Sequence, residues 1–191
     1  VLYGNIAPTG AIIKPTAASQ ELMVHKGKAI VFEDHEDLGN RIDDPDLEVS
    51  PDDILVMKNS GPIGGPGMPE WGFLPIPKKI LATGVRDMVR LSDARMSGTA
   101  FGTVVVHVTP ESASGGPLSA IRDGDMIEID VPNRKLNLLL NDEELAERLN
   151  TCQNSVPEFK RGYKWLHAKH ILQADKGCDF DFLRSESLQI S

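Results

Sequence analysis

The sequence predicts a mixed α/β domain whose second half is rich in strand. Short runs of β-branched and aliphatic residues recur along the chain, and helical patterns separate the early ones. The later runs follow one another with little helix between them, unlike the regular alternation of a doubly wound sheet. A chain of 191 residues, with 40% hydrophobic and 25% charged residues, suits one domain with a full core.

Seven segments are predicted to be strands. Each is a short run dominated by Val, Ile, Leu or Met, and turn-forming residues flank most of them. The segments are residues 10–14, 28–33, 53–58, 87–92, 102–108, 125–131 and 134–140. The last two are predicted to form a hairpin around Pro132 and Asn133, because apolar residues before that pair are matched by alternate leucines after it.

Four segments are predicted to be helices, at residues 35–42, 76–83, 141–149 and 158–174. Gly84 is expected to end the second helix, and Asn141 to cap the third. Gly162 is expected to interrupt the fourth. We expect residues 1–150 to form one domain, and residues 151–191 to form a C-terminal arm that is helical.

Composition narrows the possible partners. The net charge of −8, from 28 acidic and 20 basic residues, argues against a nucleic-acid-binding surface. The sequence has no stretch typical of a membrane span and no signal pattern at its start, so we expect no membrane partner. Cys152 and Cys178 are not spaced like metal ligands, which favours a reduced, cytoplasmic protein. Because the chain starts at Val1 and not at a Met, and its first residues resemble the interior of a folded region, we expect it to be a piece of a longer chain.

A corner rich in glycine and proline spans residues 59–72, "NSGPIGGPGMPEWG". Such a loop can bring backbone N–H groups close to an anion, although it lacks the Gly-Lys-Ser/Thr of a phosphate loop. It also presents the carboxylate of Glu70. From local sequence alone, Glu70 is better explained as an acid at a helix N-terminus, where the helix dipole favours it.

A second corner lies within residues 91–107, "LSDARMSGTAFGTVVVH". It places Asp93, Arg95, Ser97 and Thr99 between two apolar strands, where a simple turn needs none of them. A serine acts as a base only with help from a metal, oriented donors or a neighbouring base. Local sequence therefore leaves two interpretations of Ser97, a structural turn or a proton acceptor.

A third corner follows at residues 107–117, "HVTPESASGGP". His107 ends an apolar strand and is more simply a structural histidine than a ligand. We expect Glu111 to pair with Arg95 or to cap the next turn. Further along, His167 and His170 are three residues apart on a predicted helix, a weak metal-binding pattern without a third ligand.

Four motifs together resemble the C-terminal domain of the dihydroxy-acid dehydratase / phosphogluconate dehydratase family. They are "GNIAPTGAIIK", "GPIGGPGMPEWG", "LSDARMSGTAFG" and "HVTPESASGGPLSAIRDGD", in the family's order from about residue 4 to about residue 149. The later "QADKGCDFDFL" resembles the sugar-acid branch, which includes arabinonate and xylonate dehydratases. The resemblance implies a β-rich, barrel-like α/β domain of the swivelling β/β/α type.

The resemblance also implies a reaction, the dehydration of an aldonic acid to a 2-keto-3-deoxy acid by a hydro-lyase. Glu70, in the Pro-Gly-Met-x-Glu motif, is implied as a Mg²⁺ ligand, and Ser97, in the Arg-x-Ser-Gly motif, as the acceptor of the C2 proton. The family's 2Fe-2S cluster and the other Mg²⁺ ligands are implied on an N-terminal domain that this chain lacks. The chain alone is therefore expected to be inactive, and the full enzyme to be a homo-oligomer, a dimer or tetramer.

Thr99 departs from the branched-chain enzymes of the family, which have glycine at that place. We expect Gly98 and Thr99 to bind substrate, because a further hydroxyl suits a polyhydroxylated acid. Two alternatives remain open at this stage. One is a dehydratase acting on branched-chain dihydroxy acids or phosphogluconate, and the other is a non-catalytic, swivelling anion-binding module in which "GPIGGPG" holds a phosphate.

Overall fold

The computed structural model describes residues 1–152, 156 and 158–183. Seven strands lie where the sequence predicts them, and four α-helices and several short 3₁₀ turns complete the fold. The strands are β1 (Gly10–Ile13), β2 (Val24–Phe32), β3 (Ile54–Met57), β4 (Arg90–Ser92), β5 (Val104–Thr109), β6 (Met126–Asp130) and β7 (Lys135–Leu138). The helices are α1 (His35–Arg41), α2 (Lys78–Ala82), α3 (Asp142–Thr151) and α4 (Gly162–His170).

All seven strands form one mixed sheet, in the order β1-β5-β4-β3-β2-β6-β7. The four central strands are parallel to one another, whereas β1 pairs antiparallel with β5, β6 with β2 and β7 with β6. The predicted hairpin is confirmed, because Ile127 and Ile129 of β6 face Leu138 and Leu136 of β7. The predicted mixed α/β class with a barrel-like, curled sheet is therefore confirmed.

The two outer strands of the sheet are linked by the first residues of the chain. Leu2 exchanges two backbone hydrogen bonds of 2.9 Å with Ala11 of β1. Tyr3 donates to Arg134 O at 2.9 Å and accepts from Leu136 N at 2.8 Å, beside and within β7. The segment at residues 2–3 thus connects both edges and completes the curl of the sheet.

The sheet separates two apolar clusters, and β3 contributes to both. Ile54 and Val56 lie in the larger cluster with residues of β5, β6 and β7. Leu55 and Met57 lie in the smaller one, beneath α1 and α2. All four residues are buried, which explains why this segment is continuously apolar, as central parallel strands usually are.

Two of the expected helix ends are confirmed, and the expected role of Gly162 is wrong. Asn141 Oδ1 accepts from Glu144 N at 2.7 Å, which confirms the predicted N-cap of α3, and Gly84 takes a positive φ of 95° just beyond α2. The helix predicted at 158–174 is shorter than expected, because α4 begins at Gly162 itself. Arg161 is extended and Gly162 has a φ of 83°, so this glycine sets the start of the helix instead of interrupting it.

After α4 the chain turns back toward the sheet. Ile171 pairs with Phe180 in an isolated bridge, and a 3₁₀ turn at Ala174–Lys176 lies between them. The division of the chain at residue 150 stays a prediction. Within the described residues, no helix combines the length and the apolar character that crossing a bilayer requires.

Candidate active site

Residues 97–100, the Ser97 turn, follow β4. This turn is exposed at the edge of the parallel strands. The Ser97 hydroxyl oxygen lies 3.0 Å from Thr99 Oγ1 and 3.4 Å from Thr99 N. Ala100 N donates to Ser97 O at 3.1 Å, which closes the turn. Gly98 O accepts from the Lys14 ammonium group at 3.0 Å, so a positive charge lies against this turn. The geometry is that of a serine turn in which two donors can reach the serine oxygen.

The glycine-rich corner meets the Ser97 turn through Arg95. The Arg95 guanidinium Nε donates to Met68 O, and Arg95 O accepts from Gly72 N at 2.7 Å. Arg95 also lies 3.7 Å from a Glu70 carboxylate oxygen. Sequence segments 25 residues apart are thereby joined, and Glu70 and Ser97 project from adjoining loops.

Glu70 is not part of a helix. The following helix, α2, begins only at Lys78, so the interpretation of Glu70 as a helix N-terminal acid is wrong. The side chain of Glu70 is 50% exposed, and its neighbour Trp71 stacks on His35 of α1 with the ring centres 3.6 Å apart. The ring stack fixes the backbone beside Glu70 while the carboxylate stays open to solvent.

Two aromatic rings follow the two loops and pair with each other. Phe73, after Glu70, and Phe101, after the Ser97 turn, have ring centres 6.3 Å apart. The Arg90 guanidinium lies over Phe73 at 5.4 Å, a cation–π contact. Phe101 remains 65% exposed, so apolar surface borders the candidate site.

A carboxylate beneath the Ser97 turn anchors the strand that returns from it. Asp87 accepts from Thr103 N, Thr103 Oγ1 and Ser19 Oγ, and it pairs with buried Arg90 at 2.9 Å. Burial alone would raise the pKa of Asp87, but the hydrogen bonds from Thr103 and Ser19 and the charge of Arg90 outweigh it and lower that pKa. The ionised carboxylate therefore stabilises both ends of the turn.

The three glycine- and proline-rich corners are tied together at Asp93, which is fully buried. Asp93 accepts from Ser60 N at 2.9 Å and from Ser112 N at 2.8 Å, and Ser112 Oγ donates to it as well. Ser112 Oγ in turn accepts from Asn59 N at 2.6 Å. Burial raises the pKa of Asp93. This residue was noticed in the sequence but its role was missed; the available signal was an acid directly after a buried strand.

Glu111 takes neither of its two expected roles with its side chain: it forms no ion pair with Arg95, and although it stands at the N-cap position of the 3₁₀ turn Ser112–Ser114, its side chain does not cap that turn. Its carboxylate is completely buried and accepts from Ile63 N at 2.9 Å and from Gly64 N at 2.9 Å. These two N–H groups belong to the glycine-rich corner, and an internal carboxylate already occupies them. The alternative in which "GPIGGPG" holds a phosphate therefore loses two of the backbone donors of that corner.

The histidines do not form a metal site. His107 has its Nδ1 buried without a hydrogen-bond partner among the described residues, and burial, then the charge of Arg95, lowers its pKa. His167 Nε2 lies 3.2 Å from Pro62 O, and His170 Nδ1 lies 3.0 Å from Asp181. Within residues 1–152, 156 and 158–183 there is no group of three or more His, Cys, Asp and Glu arranged to hold a metal ion.

Residues 1–178 match a family described as dihydroxy-acid/6-phosphogluconate dehydratase C-terminal. The chain is 55% identical to an L-arabinonate dehydratase of Rhizobium leguminosarum over 96% of its length, and 51% identical to a 6-deoxy-6-sulfo-D-gluconate dehydratase of Pseudomonas putida over 97%. It is 40% identical to a dihydroxy-acid dehydratase of Halothermothrix orenii over 93% of its length. The matched regions are 32%, 32% and 31% of these relatives, so the chain spans about a third of their length.

Proposed function

Because the chain belongs to the dihydroxy-acid/6-phosphogluconate dehydratase C-terminal family, we propose that it supplies the proton acceptor and one metal ligand of a sugar-acid hydro-lyase. The observation that carries the proposal is the junction at Arg95, which contacts both Met68 and Glu70 of one loop and precedes Ser97 in the other. The two residues named by the family motifs therefore lie on loops that touch.

In the proposed reaction Ser97, as the alkoxide, accepts the proton at C2 of the acid, and the electron pair of the C2–H bond forms a double bond between C2 and C3. The C3 hydroxyl group leaves with that proton as water, and the enol then tautomerises to the 2-keto-3-deoxy acid. An alkoxide at Ser97 would accept hydrogen bonds from the hydroxyl and the backbone N–H of Thr99, which lie 3.0 and 3.4 Å from Oγ. The Lys14 ammonium group on Gly98 O adds positive charge beside the turn. These donors are oriented before the proton moves, which is the form of help that a weak base needs. Gly98 and Thr99 are proposed to contact substrate as well.

Glu70 fits the role of one Mg²⁺ ligand, because its carboxylate is half exposed and its recorded ion pair, with Arg95, is long at 3.7 Å. Mg²⁺ usually takes one or two protein carboxylates together with water and substrate oxygens. Bound there, the ion would supply Lewis acidity toward the substrate carboxylate and hydroxyl. The remaining ligands are proposed to come from another segment of the full-length enzyme.

The described residues do not fit a 2Fe-2S cluster. Cys152 Sγ donates to Ser119 O at 3.4 Å, while Cys178 borders a separate cavity of about 390 Å³ beside His107. We propose that the cluster ligands also lie on another segment, and that the complete enzyme is a homo-oligomer.

An aldonic acid is the substrate class that the comparisons favour. Three relatives named for sugar-acid substrates are 50–55% identical to this chain, whereas three dihydroxy-acid dehydratases are 38–40% identical. Thr99 supports the same choice, since a site that hydrogen-bonds hydroxyls discriminates strongly against substrates that lack them.

The proposal is tested with Ser97→Ala in the full-length enzyme. We expect turnover to fall by at least ~10²-fold, the effect of losing a positioned base, with normal iron content and near-parental substrate affinity. Exchange of the C2 hydrogen with solvent deuterium should be lost together with turnover. Ser119→Ala is the matched control, because that hydroxyl only bonds Gly116 O within its own turn. A folded, cluster-loaded Ser97→Ala enzyme with near-parental turnover would overturn the assignment.

A further inference from the structure

Glu111 is a buried carboxylate to which the proposed reaction assigns no role. It lies directly beneath the glycine-rich corner, with one oxygen 2.9 Å from Ile63 N and the other 2.9 Å from Gly64 N. The contact is so close that a Cβ atom on Gly61 would lie 2.6 Å from Glu111 Oε2. Glycine at position 61 is therefore required for Glu111 to approach the corner this closely. The buried carboxylate thus explains one of the glycines of the corner.

Gln173 holds Glu111 from the other side. Its amide nitrogen donates to Glu111 Oε1 at 2.6 Å, and its amide oxygen accepts from Glu111 N at 2.9 Å. Three N–H groups thus converge on one carboxyl group, which in its ionised form accepts from all of them without donating. His167 of α4 adds a contact of 3.2 Å to Pro62 O. The C-terminal segment and the glycine-rich corner meet at Glu111.

Two hydrogen-bonded turns of the glycine-rich corner connect the residues held by Glu111 to the candidate active site. Gly61 O accepts from Gly65 N at 2.7 Å, and Gly65 O accepts from Met68 N at 2.8 Å. Met68 O then accepts from Arg95, which contacts Glu70. A shift at residues 63–64 would therefore move the backbone that carries Glu70 and loosen its junction with the Ser97 turn.

We propose that Glu111 is a positioning residue for the active site, which fixes the glycine-rich corner so that Glu70 and Ser97 face a common space, and that Gln173 makes this fixation depend on the C-terminal segment. The inference rests on the proposed function only for its effect on turnover. Its structural part, the anchoring of residues 63–64 by the Glu111–Gln173 pair, can be tested without any assay of activity.

The test exchanges the two side chains in the full-length enzyme. In Glu111→Gln, one oxygen can still accept from Ile63 and Gly64, but the new amide N–H₂ opposes the Gln173 amide nitrogen. In Gln173→Glu, two carboxylates confront each other. In the double variant Glu111→Gln/Gln173→Glu, the new glutamate accepts from both the side chain and the backbone N–H of residue 111, so every donor again has an acceptor.

Hydrogen–deuterium exchange of peptides covering residues 60–68 reports the anchorage. Each single variant loses the hydrogen bond between the side chains of residues 111 and 173, which holds the acceptor of the Ile63 and Gly64 N–H groups in place. We therefore expect exchange at residues 63–64 to accelerate about tenfold in each single variant, and to return toward the parental rate in the double variant. The Mg²⁺ concentration needed for half-maximal turnover should rise in the single variants and recover in the double variant.

Parental exchange at residues 63–64 in both single variants would overturn the anchoring. Altered exchange with unchanged turnover and unchanged Mg²⁺ requirement would overturn the positioning role. Failure of the proposed function is recognised separately, as a Ser97→Ala enzyme that keeps parental turnover while the exchange results stand.

Discussion

Ionisation of Glu111 should make the protein less stable as the pH rises through neutrality. Burial, reinforced by the charge of Asp93, raises the pKa of Glu111 from 4.5 to about 7, although hydrogen bonds from Gly64, Ile63 and Gln173 act in the opposite direction. A group whose pKa is raised on folding favours the native state below its unfolded pKa, and this stability is lost as the pH rises through the folded pKa. At about 1.4 kcal/mol per pKa unit, the loss is about 3 kcal/mol between roughly pH 4.5 and pH 7.5.

Urea unfolding of the 191-residue chain, followed by circular dichroism at several pH values, measures this loss. The free energy of unfolding of Glu111→Gln should decline less steeply between pH 5 and pH 8 than that of the parent, by up to about 3 kcal/mol over the interval. Asp93, whose pKa burial also raises, contributes to the decline in both proteins. Because the charge of Asp93 also raises the pKa of Glu111, the difference between the proteins measures Glu111 together with its coupling to Asp93. The control is Glu48→Gln, at an exposed position, which should reproduce the parental slope. Equal slopes for the Glu111→Gln variant and the parent would refute the reasoning.

Three further predictions concern the metal ligand, a buried ion pair and the cluster. Glu70→Gln in the full-length enzyme should raise the Mg²⁺ requirement or abolish turnover while the circular dichroism spectrum stays parental; unchanged Mg²⁺ dependence would remove Glu70 from the ligand set. Asp87→Asn should reduce the free energy of unfolding by about 3–5 kcal/mol, because Arg90 is left buried without its counter-charge, and an unaltered urea midpoint would contradict this. The 191-residue chain, incubated with iron and sulfide, should show no stoichiometric 2Fe-2S absorbance, whereas such a spectrum would place the cluster ligands within it.

The strands were predictable because their signal is local. β3 is an unbroken apolar run, β5 is one that only His107 interrupts before Thr109, and the β6–β7 hairpin has alternate apolar residues on both sides of a short turn. The order of strands in the sheet was not predictable from these patterns, since nothing in β5 itself specifies pairing with both β1 and β4. The start of α4 at Gly162 was missed because the spacing of apolar residues is helical on both sides of the glycine. The backbone, in contrast, is helical only from Gly162 onward.

The candidate site, too, was predictable from the sequence only in part. Glu70 and Ser97 were identified from motifs, and their contact through Arg95 became visible only in the fold. Neither role expected for the Glu111 side chain, a pair with Arg95 or a cap of the next turn, is its main one, because two of its partners are backbone N–H groups, which no sequence pattern distinguishes. The role of Gln173 was missed for a related reason: it opens the motif "QADKGCDFDFL", but it lies 62 residues from Glu111 and nothing in that motif indicates this partner.

The first residues of the chain limit how copies of this domain can associate. On the outer side of β7, Tyr3 binds Arg134 O and Leu136 N, and the Asn5 side chain donates to Leu138 O at 2.8 Å and accepts from Leu138 N at 2.7 Å. The alternate backbone groups that an added strand would need are thus already occupied. Two copies of this domain therefore cannot form a continuous intermolecular sheet through β7. Any assembly at this side of the molecule must use side-chain contacts instead.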